Sequence, residues 1–166
     1  MSRQISKGVP FDVECHNRII TDWEQARDDA LGQINIDNPN SAQQKQAWLA
    51  QALSDDELLD WPLTDNGNLS TAREALENAS HIPAAKPLAE YTRITSRLSN
   101  FGLKVQAQLI DGRLYPGYQI AGMVTGRFGC RNPNMQNMPR SVFKRCFSAP
   151  EGFVFLTGDF AQREFR

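Results

Sequence analysis

Residues Leu103–Gly122 read LKVQAQLIDGRLYPGYQIAG, and the apolar spacing of the chain changes here. Upstream, apolar residues recur every three or four positions. Within the stretch, LKVQAQLI alternates and predicts a strand. Asp111-Gly112 is a hairpin turn signal, and RLYPGYQIAG reads as the return, with Pro116 at an edge or bulge. Helices before this point and strands after it predict an α+β chain. A helical region covers residues 1–102, and an antiparallel sheet occupies residues 103–166.

Working backward, Asp12 is suited to cap a helix over residues 13–34. Ile19, Trp23, Ala26, Ala30 and Ile34 step by three or four along it and make one buried stripe. Asn38-Pro39-Asn40 breaks the chain, and Ser41 starts a shorter helix bearing Trp48, Leu49, Ala52 and Leu53. The stretch WPLTDNGNLST is turn-rich, with Asn66-Gly67 as a tight turn. Thr71 and Glu74 have capping-box spacing for a short helix through Ala79. Pro83 and Pro87 suit the approach to the next helix, which carries Leu88, Tyr91, Ile94, Leu98 and Phe101.

Working forward, RFGCRNPNMQNMPR is loop-like and VFKRCFSAP reads as a further strand. FVFLTGD, residues 153–159, is a continuous apolar run ending in a carboxylate. It predicts a central strand covered on both faces. A carboxylate at the tip of a buried strand is rigidly held where a metal or substrate can reach it. An acid there also caps the turn that follows, and the pattern alone leaves both readings of Asp159 open. Glu164, five residues on, shares such a site or sits on a solvated face.

The 166 residues carry 18 basic and 19 acidic side chains, so whole-chain charge points to no partner. The halves differ: residues 1–100 sum to −6 and residues 101–166 to +5. No acidic residue stands between Gly112 and Pro150, where Arg113, Arg127, Arg131, Arg140, Lys144 and Arg145 mix with Gln119, Asn132, Asn134, Gln136 and Asn137. Cations beside side-chain amides suit phosphate and base-edge contacts. They equally suit a solvated basic loop. Three cysteines without a CxxC pair predict neither a disulfide framework nor a Cys-rich zinc site, and favour a reducing compartment. No apolar run approaches 18 residues and the N-terminus has no signal-like core, so a cytoplasmic chain without membrane contact is expected.

Two motifs carry a resemblance. TGRFGCRNPNMQNMP (Thr125–Pro139), followed by APEGFVFLTGDFAQREFR (Ala149–Arg166), resembles the DNA polymerase I family, family A. The second segment is similar to the first palm motif, usually DYSQIELR, and the first to the TGR…PNLQNIP stretch before it. KGVPFD, TDNGNLST and PLAEYTRITSRL resemble the start of the polymerase part and its thumb. The resemblance thus implies a helical thumb-like lobe followed by a partial, truncated palm-like sheet.

It also implies DNA-directed DNA synthesis from deoxynucleoside triphosphates on primer–template DNA, with two Mg²⁺ ions in the complete enzyme. Asp159 matches the first of two metal-binding catalytic carboxylates, and the Phe160 main-chain carbonyl a further metal ligand. Glu164 matches the residue whose bulk excludes a ribose 2′-hydroxyl; Phe160 and Gln162 fall on nucleotide-pocket positions. Arg163 stands where an aliphatic residue is usual, and Phe165 where leucine is. Arg127 matches an arginine that reaches the minor groove at the primer terminus, where acceptors recur in similar places in every base pair. Asn134, Gln136 and Asn137 match DNA-contacting positions, and Lys144 and Arg145 backbone contacts.

The resemblance further predicts that the 166 residues alone are inactive. They hold no fingers helix with its Lys and Tyr, no HDE-like segment with the second carboxylate, and no proofreading pattern. A separate chain carrying the fingers and the rest of the palm is then the expected partner. Two other readings follow from the same residues: a non-catalytic duplex-binding module, or a decayed remnant.

Overall fold

The structure is a computed structural model and describes residues 7–119 and 129–156. Helices and two small antiparallel sheets make an α+β fold. The chain forms two compact units: Arg18–Lys104, and the described residues among Met1–Asn17 and Val105–Arg166.

The Arg18–Lys104 unit is helical. It takes most of α1 (Val13–Ile34), then α2 (Ala42–Ala52), α3 (Asp55–Leu59), α4 (Arg73–Asn78) and α5 (Lys86–Phe101). Ile19, Trp23, Ala30 and Ile34 are buried along α1, as their spacing predicts, and Ile20 joins them. The helix stops where Asn35 adopts a left-handed φ of 38°, a conformation asparagine tolerates. Ser41 caps α2, its side chain accepting from Gln44 N. Ser54 and Glu57 form a reciprocal capping box on α3, satisfying backbone N–H groups that the first turn leaves orphaned. Thr71 does not cap α4: the cap position is Ala72, without a side-chain bond, and Ala72 N donates instead to Ser70 Oγ.

Pro87 sits in the first turn of α5, where its missing N–H costs nothing. Leu88, Ala89, Tyr91 and Ile94 line that helix's buried face. The core joins Ile34, Leu49, Leu53, Trp61, Leu76 and Leu88. Burying each large aliphatic contributes roughly 1.5–3 kcal/mol. The indole N–H of Trp61 donates to Ser70 O at 3.0 Å, so its one polar atom is satisfied.

In the other unit, β1 (Val9–Pro10) pairs antiparallel with β2 (Arg113–Leu114). The predicted Asp111-Gly112 turn forms, with φ of 48° and 71°, and Ile110 and Arg113 exchange both backbone hydrogen bonds across it. Two positive φ values match the right-handed twist of a hairpin. A second pair joins β3 (Gly117–Gln119) to β4 (Gly129–Arg131), with Tyr118 opposite Cys130.

Four sequence expectations are corrected here. LKVQAQLI is not a strand: Leu103–Gln106 forms a helical turn, α6, and Ala107–Gln108 continue as a turn. Leu, Lys, Gln and Ala are good helix formers, and that propensity outweighs a short alternation. RLYPGYQIAG does not return along one partner, because Arg113–Leu114 pairs with β1 and Gly117–Gln119 with β4. VFKRCFSAP is not a strand either: Arg140–Phe143 is helical (α7) and Lys144–Cys146 is a 3₁₀ turn. Finally, Phe153–Leu156, the described part of FVFLTGD, forms no strand and is exposed, from 47% at Phe155 to 92% at Leu156. The expected burial on both faces is therefore missing at Phe153–Leu156.

Candidate nucleic-acid interface

The predicted DNA-contacting residues that the structure describes lie on two short turns in the unit containing β3 and β4. The first follows β4. Asn132-Pro133 is a cis peptide, and Asn132 takes a φ of 50°. The Cys130 thiol donates to Pro133 O at 3.3 Å. Asn134 Oδ1 accepts from Gln136 N at 3.2 Å and so caps the 3₁₀ turn Met135–Asn137. Pro133 and Met138 are buried at either end, while Asn134, Gln136 and Asn137 are exposed. Local sequence explains this arrangement. Asparagine favours side-chain-to-backbone bonds that close such turns, and the flanking apolar residues anchor them.

The second turn is Lys144–Cys146, with Lys144 and Arg145 exposed and Cys146 fully buried. Its anchor is aromatic. Phe143 is 1% exposed, and its ring meets that of His16 edge-on at 5.1 Å. Phe11 meets the rings of His16 at 5.1 Å and Phe147 at 5.4 Å. Edge-to-face pairs of this kind each add about 0.5–1.5 kcal/mol beyond area burial. Asp12 N donates to Cys146 O at 2.7 Å, and Asp12 Oδ1 accepts from Cys15 N at 2.9 Å, the predicted cap of α1. Gln106 Nε2 donates to Asn17 Oδ1 at 2.6 Å and lies 3.0 Å from His16 Nδ1. His16 and Gln106 were not legible as positioning residues, because no spacing in the sequence brings residues 16 and 106 together.

Electrostatically, the Lys144–Cys146 turn is cationic, and the Met135–Asn137 turn is uncharged, with Arg131 at the end of β4 before it. Arg27 pairs with Asp28, Arg73 with Glu77 and Arg93 with Glu90, none of them on these turns. Lys144, Arg145 and Arg131 are exposed. Arg113 differs: its guanidinium donates to the carbonyls of Lys7 and Gly8, so it is structural. Burial, then a hydrogen bond and charge from Cys15, then Asp12, push the Cys146 thiol up to about 12. Burial, then Cys130, raises the Tyr118 hydroxyl.

Arg127, Asp159, Phe160, Gln162 and Glu164 lie outside the described residues. Among the described residues no group of three or more His, Cys, Asp or Glu side chains is placed to hold a metal ion, and no helix is long and apolar enough to cross a membrane.

A model of DNA polymerase family A matches residues 13–166. The chain belongs to DNA polymerase family A. Within family A, the chain is 30% identical over 171 aligned residues to DNA polymerase I of Aquifex aeolicus, covering 99% of this chain and 29% of that protein. It is also 30% identical to a DNA polymerase of Bacillus phage SP01, over 62% of this chain and 13% of that protein. The chain therefore spans under a third of the curated relatives it matches. In fold it resembles the POL domain of Pol1 from M. smegmatis, solved in complex with DNA primer–template and dNTP. That likeness has a TM-score of 0.67 at 22% identity, over 89% of this chain and 28% of that one.

Proposed function

We propose that this chain is part of a DNA-directed DNA polymerase, performing template-directed nucleotidyl transfer in replication or repair in the cytoplasm. Primer–template DNA and deoxynucleoside triphosphates are its partners in this reading. The observation that carries it is the family A match, which runs through the TGDFAQRE segment to residue 166.

In this reading Asp159 and the Phe160 carbonyl hold Mg²⁺. Both are hard oxygen donors, the class Mg²⁺ prefers. When bound, the two Mg²⁺ ions of the complete enzyme lower the pKa of the primer hydroxyl and stabilise charge on the reacting phosphate. The chain's own residues do the rest. Glu164 fills the space a ribose 2′-hydroxyl would need, so ribonucleotides clash there. Phe160 and Gln162 take the nucleotide-pocket positions. Arg127 donates into the minor groove at the primer terminus, holding any correct pair without reading sequence. Asn134, Gln136 and Asn137 contact the DNA from an anchored turn. Lys144 and Arg145 contact phosphates, and each such contact steepens the salt dependence of binding by about 0.9 in log–log slope.

One carboxylate site does not hold two Mg²⁺ ions in octahedral geometry. The 166 residues tested alone are thus inactive, and a polypeptide bearing fingers and the second carboxylate completes them. Primer extension tests this. With Mg²⁺, the isolated chain gives no template-dependent product, and the chain joined by the remaining family A segments does. Extension by the isolated chain would overturn the incompleteness. Duplex binding that persists while the completed enzyme stays inert would favour a non-catalytic binding module, which the exposed cations and amides of the two turns suit independently of Asp159.

A further inference from the structure

We propose that a cavity in the Arg18–Lys104 unit docks a segment of a partner protein that carries arginine or lysine beside apolar side chains. The cavity has a volume of about 560 Å³ and is lined from α3, the loop after it, α4 and the loop leading to α5. That volume is in the range that receives small ligands and single side chains. Trp61, Ala75 and Ala79 are its buried lining, and Asp56, Glu57 and Asp60 are its carboxylates, with Asp56 and Asp60 exposed. Leu59 and Leu63 are exposed by 84% and 59%, and each adjoins a lining residue in sequence, Asp60 or Pro62.

Charge decides the class of occupant. Between Lys45 and Arg73 the sequence holds Asp55, Asp56, Glu57, Asp60 and Asp65 and no Lys or Arg. Carboxylates repel phosphates, so this stretch disfavours DNA and anionic lipid. Among the described residues no group of three or more His, Cys, Asp or Glu side chains is placed to hold a metal ion, so these carboxylates are not gathered as a metal site. A long cationic side chain suits both parts of the cavity, its apolar stem against the buried lining and its charge among the carboxylates. The Trp61 indole N–H already donates to Ser70 O at 3.0 Å, so the ring has no polar atom left to satisfy. Aromatic faces also attract a guanidinium.

Some of the acceptors are fixed before anything binds. Glu57 Oε2 accepts from Ser54 N and from Ser54 Oγ, each at 2.8 Å. His81 also lines the cavity, and its Nδ1 stands 2.9 Å from Asn78 O. A carbonyl only accepts, so Nδ1 carries the hydrogen and the neutral ring keeps its acceptor at Nε2. A guanidinium brings five N–H donors to such a set, and acceptors already in place cut the ordering cost of binding. Exposed ion pairs are individually weak, so the carboxylates select the sign of the partner, and burial of Leu59 and Leu63 adds affinity.

The experiment titrates the full chain into a fluorescein-labelled peptide, RLRPRL, and into the same peptide with neutral citrulline at each arginine. Expected is saturable anisotropy for the arginine peptide, binding weaker by about tenfold or more for the citrulline peptide, and a loss of affinity as salt rises. In NMR spectra the Trp61 indole N–H and the Asn78 side-chain amide shift as the peptide saturates. Asp56→Asn combined with Asp60→Asn weakens binding by about three- to tenfold. Asp22→Asn combined with Glu24→Gln, a change to exposed carboxylates on α1, leaves it unchanged. The amide spectrum of each variant shows that its fold is kept. No saturable binding, equal binding of the citrulline peptide, or equal weakening by the two double variants would overturn the proposal. Self-association that the Asp56 and Asp60 double variant abolishes would also overturn it, by giving the cavity to a second copy of this chain.

Discussion

Phe143→Ala strikes the anchor of the Lys144–Cys146 turn. The ring is 1% exposed and lies 5.1 Å from the His16 ring and 6.3 Å from the Phe11 ring. Truncating a buried phenylalanine to alanine costs about 3–5 kcal/mol through lost transfer energy and the cavity left behind. For a chain of this length each kcal/mol lowers Tm by about 2–4 °C, which gives a fall of roughly 6–20 °C. Circular dichroism melting measures the total. Hydrogen exchange localises it: the amides of Asp12 and Phe147, bonded to Cys146 O and Lys144 O, lose protection, while the core helices of Arg18–Lys104 keep theirs. Unchanged exchange at Asp12 and Phe147, with Tm within about 2 °C of wild type, would refute the anchoring argument.

Three further outcomes follow from the same structure. Gly102→Ala places a Cβ 2.4 Å from Leu98 O, which the Gly102 N–H already holds at 2.9 Å; the backbone has to shift, and a melt shows a loss of about 1–3 kcal/mol. Hydrogen bonds from the Ser54 backbone, then from its hydroxyl, hold Glu57 below its ordinary 4.5, so the α3 cap is intact above that value and is lost as pH falls through the lowered one. An NMR titration of Ser54→Ala should find the Glu57 carboxyl moved back up. Lys144→Ala or Arg145→Ala each weakens duplex binding across all sequences and reduces the salt slope by about 1 in fluorescence anisotropy; an unchanged slope removes that residue from the interface.

Helices with both a cap and a long apolar stripe were legible. Asp12 and the stripe from Ile19 to Ile34 gave α1 its ends and its buried face, and Asp111-Gly112 gave the hairpin turn. Two further local signals lie inside stretches whose overall composition points elsewhere. Ser54 and Glu57 have capping-box spacing, masked by the turn-rich sequence after them. Phe143 and Cys146 are both buried three residues apart, a helical spacing hidden inside VFKRCFSAP. The exposure of Phe153–Leu156 was not legible, because burial of an apolar run depends on what packs against it rather than on the run itself. For the site, the basic and amide-rich composition marked the two turns. Their anchoring by Phe11, His16 and Gln106 is long-range packing that no local pattern records. The roles of Arg127, Asp159, Phe160, Gln162 and Glu164 rest on motif resemblance, and these residues lie outside those the structure describes.

The most direct test is primer extension by the chain completed with the remaining family A segments, comparing Asp159 with Asp159→Asn. Losing about 4 kcal/mol of transition-state stabilisation corresponds to about a 10³-fold slower rate. The account predicts a fall of at least that size with primer–template binding retained. Extension by Asp159→Asn within a few-fold of the unsubstituted protein would contradict it.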